Sequence, residues 1–396
     1  MKRFLITLTL IFFTISPTIA EEEITLDAPA PDESVEDLLL ESEVETTKDL
    51  THEKFFAGLS ANIKKDFALE RDNLDIPSTL LKETLTFNYE KGPVESVHIW
   101  TGLQMNMSEN IQDNDNDTKF KVGLVNNFID GKFRGGKENF RIMLDSTPQS
   151  DRSFIQNFFQ DLYIDTYRIP HHRVLLGNSR PKVGMEGGNS SYTLPFASRS
   201  QIARHFGTAR KLGVRVMGDY SLVDYDFGGY SSGTYFTSFF PGAEFDGWIN
   251  FKPFGKTDGK YGKLTLGGGI AAGERSSTDF FVSGAYIGYE YKKFRAKAEY
   301  ANANGSNGLT GLSDKKRHGW YATIGYRLTK KLEILARYDE FDPDKNIGHN
   351  NTREYSAGIT YYIKGQALKL ILNYVFCQNQ GAKDSHRIIL GTQIAI

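Results

Sequence analysis

The chain has 396 residues with 28 Phe, 20 Tyr, 38 Gly and one cysteine, a formal net charge of −2 and a mean hydropathy of −0.41. A single cysteine excludes an internal disulfide framework, and past the first few residues no apolar run of 18 or so is available to cross a bilayer as a helix. The near-neutral total conceals a division: Glu21 to Leu50 carry twelve acids and one lysine, whereas residues 51–396 carry 44 basic and 37 acidic residues.

From the N-terminus, Lys2 and Arg3 form a basic region and Phe4 to Ile15 an apolar one. Thr18-Ile19-Ala20 then offers small residues for cleavage, so residues 1–20 read as a secretory signal peptide. Residues 21–50, acidic and without aromatics, read as a disordered periplasmic leader. The remainder, 51–396, is expected to form one domain.

That domain alternates. A strand points successive side chains to opposite faces, and period two is visible in Leu85-Phe87-Tyr89, Val97-Ile99-Thr101-Leu103, Phe120-Val122-Leu124, Phe140-Ile142-Leu144, Leu212-Val214-Val216 and Ala285-Ile287-Tyr289-Tyr291. Gly267-Gly268-Gly269 lies inside another such run and marks backbone crowding or a bend. The pattern sharpens toward the C-terminus. Phe294 to Tyr300, Trp320 to Leu328, Leu332 to Tyr338, Tyr355 to Ile363, Leu368 to Phe376 and His386 to Ile396 each present an apolar face opposite one rich in charges and glycine. Aromatics sit at the ends of the apolar faces, where the girdles of a membrane barrel belong. Tight turns at 326–332 and 363–368 alternate with polar stretches at 302–318 and 342–353, which read as long outer loops. The fold class is therefore all-β, a transmembrane antiparallel β-barrel of sixteen strands, with fourteen or eighteen as neighbouring counts, in the bacterial outer membrane. At that size the interior is an aqueous channel.

Alternation places Lys121, Arg141, Arg215, Arg295, Lys297, Arg327, Arg337, Lys369 and Arg387 away from the apolar face, toward the lumen. Asp145, Glu290, Glu299, Glu333 and Asp339 share that side. A basic excess in a pore favours anions, although many of these charges are expected to pair across the wall. Other motifs fail on context. Gly229-Tyr230-Ser231-Ser232-Gly233 imitates a nucleophile elbow but lacks the following helix. Asp113, Asp115 and Asp117 begin like a calcium loop, yet Thr118 and Leu124 stand where glycine and the closing acid belong.

Several segments resemble the phosphate-selective porins of the porin O/P type. Leu176-Gly177-Asn178-Ser179-Arg180-Pro181-Lys182-Val183-Gly184-Met185-Glu186 is similar to the family's Gly-Gln-x-Lys-x-Pro-Phe-Gly-x-Glu region. Ser190-Ser191 and Phe196-Ala197-Ser198-Arg199-Ser200 look like its Thr-Ser-Ser and Phe-x-Glu-Arg-Ser elements, and Tyr338-Asp339-Glu340-Phe341-Asp342-Pro343-Asp344 like its Tyr-Asp-x-Phe-Asp-Pro-Asp. Asn373-Tyr374 also fits. The resemblance covers roughly 55–396. Val183 replaces the usual aromatic, Ser198 the usual acid and Ile396 the common terminal Phe. The resemblance implies a homotrimer of sixteen-stranded barrels, with Arg199 on an inward-folded constriction loop facing the permeating anion.

The function expected is passive diffusion of small inorganic anions such as phosphate through a barrel set in outer-membrane lipid. A general or cation-selective porin, or a plugged barrel acting in surface interaction, remains open. No catalytic residue, metal, cofactor or nucleic-acid partner is expected.

Overall fold

The computed structural model describes residues 85–112, 115–147, 158–233 and 240–396, so the segments read as signal peptide and acidic leader, and Asp113, lie outside the described residues. Among the described residues there are seventeen strands. A three-residue strand, β1 (Thr86–Asn88), precedes β2 (Val94–Gln112), β3 (Asp115–Phe133), β4 (Glu138–Asp145), β5 (Phe159–Thr166) and β6 (His172–Ser179). Then follow β7 (Lys211–Asp219), β8 (Val223–Ser231), β9 (Ala243–Phe251), β10 (Lys263–Arg275), β11 (Thr278–Tyr291) and β12 (Phe294–Gly308). The last five are β13 (Gly311–Arg327), β14 (Leu332–Asp342), β15 (Thr352–Lys364), β16 (Leu368–Asn379) and β17 (Ser385–Ala395).

Each strand from β2 onward pairs antiparallel with the next, and β17 returns to β2 in a register running from His386↔Ile111 to Ala395↔Gly102. Sixteen strands thereby close on themselves, leaving no open edge, which membrane-spanning sheets require because lipid cannot satisfy free backbone groups. β1 is not a seventeenth stave. It pairs with Ser96–His98 of β2 directly below the end of β17, and Ile396 exchanges backbone hydrogen bonds with Thr101. The N- and C-terminal ends of the wall thus meet at one rim.

The alternation is that of a barrel turned inside out relative to a soluble protein. Ile324 is 55% exposed on the outer face while its neighbour Thr323 is 4% exposed within. Leu370, Leu372 and Tyr374 point outward from β16, and Lys369 and Asn373 point inward and are buried. Along the outer face Trp320, Tyr338, Tyr355, Phe376 and His386 form a continuous belt across five strands, with ring centroids 4.9–6.0 Å apart. On the inner face the Trp248 ring lies along the wall over Gly269, where a Cβ would stand 2.5 Å from the ring. That is the crowding the glycine run implies.

One expectation changes. Residues 302–318 are no loop: β12 and β13 continue to Gly308 and Gly311 and turn at Leu309-Thr310. Polar residues near its turn are used in the structure: Ser306 and Asn307 are buried, and Asn307 Nδ2 donates to the Ser232 carbonyl and to Glu244 Oε2. The wall is also uneven. β2 and β3 have 19 residues each, but β4, β5 and β6 have only 8. The Gly-x-Ser-x-Gly stretch is the end of β8 and its turn, with Ser231 still in the strand.

Candidate permeation site

Between β6 and β7 the chain leaves the wall and folds into the lumen. Gly184 takes φ 76°, a left-handed conformation that frees the turn after Pro181. Helix α1 (Met185–Gly188) follows, then a 3-10 turn (Ser191–Thr193) capped by the Ser190 hydroxyl, and helix α2 (Gln201–Phe206). The two helices cross where Gly187 meets Gly207, and a Cβ on Gly207 would stand 2.6 Å from the Gly187 Cα.

The wall grips this loop chiefly by its main chain. Lys369 Nζ donates to the carbonyls of Tyr192 (2.9 Å) and Leu194 (2.8 Å), and Thr360 Oγ1 donates to that of Pro195 (2.6 Å). Asn373 Oδ1 accepts from Ala197 N, Asp339 Oδ2 from Gln201 N, and the Glu299 carboxylate from Met185 N and Glu186 N. Arg337 donates to the Ser198 carbonyl and lies over the Phe196 ring. Apolar packing completes the seat: Ile202 and Phe206 join Ala271, Val282, Ala301, Ala303, Tyr321 and Phe341, and Val183 packs against them. Val183 thus serves the seat of the loop.

Glu186 is the polar anchor. Burial pushes its carboxyl up, but Lys297 at 2.7 Å and Arg337 at 3.8 Å outweigh it and hold the group at about 2. The Ser200 backbone N–H donates to it as well.

The position of Arg199 corrects the expectation that it faces the permeating anion. Its guanidinium turns back into the loop, donating to the carbonyls of Glu186 and Asn189 and to Ser191 Oγ. It is 9% exposed, and burial lowers it to about 10. A motif fixes the residue's place on the loop but not the direction of its side chain. Arg199 is a cross-brace within the loop.

Eight of the nine other candidates contact groups of the inner wall or the loop, and they divide by task. Lys297, Arg337 and Lys369 hold the loop. Arg295 pairs with Glu333, Arg387 contacts Glu354, and Arg327 lies over the Tyr362 ring. Lys121 is exposed near the outer end of β3. Only Arg141 and Arg215 reach the opening that the loop leaves beside β3 to β7. This opening is lined by Arg141, Arg180, Arg210 and Arg215 with Asp145 and Asp161, and by the rings of Trp100, Phe128, Tyr163 and Tyr192. Arg180 and Arg210, at the two hinges of the loop, are missing from the alternation-based set because neither lies in a strand.

Each arginine is fixed. Arg141 holds Asp130 through two bonds of 2.6 and 2.7 Å, Arg215 holds Asp226 at 2.8 and 2.6 Å, and Arg210 reaches Asp161 at 2.6 Å. Arg180 donates to the Asn189 carbonyl. Arg210 also donates to Gln160 Oε1 at 2.8 Å, and Arg215 to the Arg180 carbonyl at 3.0 Å.

A closed sixteen-stranded barrel narrowed by an inward loop defines an outer-membrane porin, a channel of the bacterial outer membrane. Residues 255–394 match the family model described as phosphate-selective porin O and P, so the resemblance to that family is shown over this C-terminal part. The match includes the Tyr338–Asp344 motif and excludes the loop. No curated protein matches the chain. Among solved structures it is similar to an anion-selective porin from Comamonas acidovorans at 14% identity and a TM-score of 0.56, covering 76% of this chain and 99% of that one. The outer membrane channel DcaP of Acinetobacter baumannii aligns at 13% identity and 0.54, over 78% and 99%. The trimer form of OmpT from Vibrio cholerae aligns at 11% and 0.54, over 76% and 99%. At these identities the likeness is one of fold.

Proposed function

We propose that this porin passes small solutes with a modest preference for anions, inorganic phosphate among them. One observation carries the reading: the opening beside the loop is lined by four arginines against two aspartates. Arginine stays charged and its planar fork matches phosphate or carboxylate oxygens. Binding at such a site stays weak because each guanidinium is already pinned, and an ion must leave as readily as it enters. The same pairing favours a second reading, a general porin, since Asp130, Asp226 and Asp161 offset much of the field.

The mature chain in this reading is the leader 21–50 followed by the barrel domain, and it works as a homotrimer. Strands of 8 residues support the latter. At about 3.3 Å per residue and a tilt near 40°, such a strand rises only about 20 Å, short of an apolar band about 25 Å tall. A neighbouring subunit covering β4 to β6 removes the mismatch.

The test is the reversal potential of the purified protein in a planar bilayer under a potassium chloride gradient. A chloride-directed potential that moves toward the cation side in Arg180→Gln/Arg210→Gln supports the proposal, and phosphate then competes with chloride. A cation-directed potential in the parent protein refutes anion preference and leaves the general porin.

A further inference from the structure

We propose that the rim where β1 meets the end of β17 is a docking surface for anionic phospholipid headgroups. The inference is independent of which solute the lumen prefers. Connections between strands at this rim comprise residues 89–93, 134–137, 167–171, 220–222, 252–262, 292–293, 328–331 and 365–367. They contain eleven Lys or Arg and two acids, Glu90 and Asp258. The described residues of the connections at the opposite rim, leaving aside the loop inside the lumen, include two basic and two acidic ones, Lys345 and Lys383 with Asp344 and Asp384. The asymmetry is invisible in the whole-chain charge.

Six of the basic residues form one sector. Lys256 and Lys260 lie between β9 and β10, Lys292 and Lys293 between β11 and β12, and Lys330 and Lys331 between β13 and β14, which are neighbouring hairpins of the wall. All six are exposed. The described residues place no acid in ion-pair contact with any of them.

What the lysines stand beside identifies the partner. Directly above them the outer face shows Tyr261, Tyr291, Phe294 and Tyr326, each between 36% and 51% exposed. Lys260 Nζ is 5.2 Å from the centre of the Tyr261 ring, and Lys292 Nζ is 5.0 Å from that of Tyr291. Half-exposed rings of this kind mark the level where hydrocarbon gives way to headgroups, and a lysine just beyond them extends its ammonium to the phosphate level. A soluble acidic partner would meet the lysines but would have no use for the rings. Loop lengths put this rim on the periplasmic side, since its turns are mostly short and the long connections leave from the other. The lipid concerned is therefore that of the inner leaflet. Clustered lysines attract anionic headgroups additively and within a Debye length.

The experiment uses the mature full-length protein in mixed vesicles with spin-labelled phosphatidylglycerol or phosphatidylcholine, and reads the fraction of label immobilised at the protein. Phosphatidylglycerol should exceed phosphatidylcholine by roughly threefold at low salt and approach equality at high salt. In the variant carrying K256Q, K260Q, K292Q, K293Q, K330Q and K331Q the preference should vanish. The corresponding Lys→Arg variant should keep it, with conductance unchanged in both, because none of the six lines the lumen. Should the glutamine variant fail to give a heat-modifiable folded band, the salt titration of the parent decides. Equal immobilisation of the two lipids, or a preference that survives the glutamine variant or high salt, overturns the proposal. Displacement of phosphatidylglycerol by soluble polyglutamate at matched charge would assign the surface to a soluble polyanion and also overturns it.

Discussion

Lys369→Met separates the wall from the loop it holds. The ammonium is fully buried and donates to Tyr192 O, Leu194 O and Gln366 Oε1 at 2.9, 2.8 and 2.6 Å. Methionine fills a similar volume, so the change removes bonds without opening a large cavity. The Tyr192 carbonyl keeps a donor in Gln393 Nε2 at 3.0 Å, which concentrates the loss at Leu194. Bonds to a charged donor contribute about 1.5–3 kcal/mol each, so the seated loop should weaken by roughly 2–4 kcal/mol after this compensation. The β16 ladder uses only backbone groups, and the barrel itself should fold as before. Local opening would then rise roughly 30- to 700-fold, since every 1.4 kcal/mol is a factor of ten. Hydrogen exchange of loop amides 185–206 measures that opening directly, and tryptic cleavage after Arg199 or Arg204 follows it. Single-channel records should show a larger, flickering conductance. Loop exchange within threefold of the parent, in a variant that still runs as a folded band, would refute the view that the wall positions the loop through Lys369.

Arg199→Ala should loosen the loop and broaden the conductance distribution while shifting the reversal potential by less than Arg210→Gln does, a contrast readable in one bilayer apparatus. Acid should act late on the Glu186 anchor. Its folded value of about 2 lies below the ordinary 4.5, so its contribution is complete above about pH 4.5 and is lost as pH falls toward 2. The loss totals about 3 kcal/mol, and loop exchange should be flat from pH 5 to 8 and accelerate only below about 4. Gly269→Val drives a side chain into the Trp248 ring and the Gly247 carbonyl, and should cost roughly 3 kcal/mol, seen as a lower unfolding temperature and weaker Trp248 fluorescence.

Sequence reading found the wall where one face is clearly apolar. In β13 to β17 every outward residue named from alternation is outward in the structure. β5, β6, β8 and β9 escaped because their inward sides mix charged residues and Gly with rings. Polarity misled in the other direction at 302–318, where a strand pair that buries Ser306 and Asn307 has the composition of a loop. The site was harder for a different reason. Alternation shows which side a charge is on, whereas Lys369 touching a carbonyl and Arg215 touching Asp226 depend on contacts made across 177 and 11 residues of chain. Arg180 and Arg210 obey no period at all.

Attachment through main-chain groups has a consequence for how such channels diversify. Lys369, Thr360, Asn373, Asp339 and Glu299 recognise carbonyls and amides that every residue except proline supplies in full. Substitutions along the loop can therefore accumulate while its backbone keeps the same path. The wall acts as a holder for an interchangeable insert, and a new solute preference can be grafted by rewriting a few loop positions and leaving the holder alone.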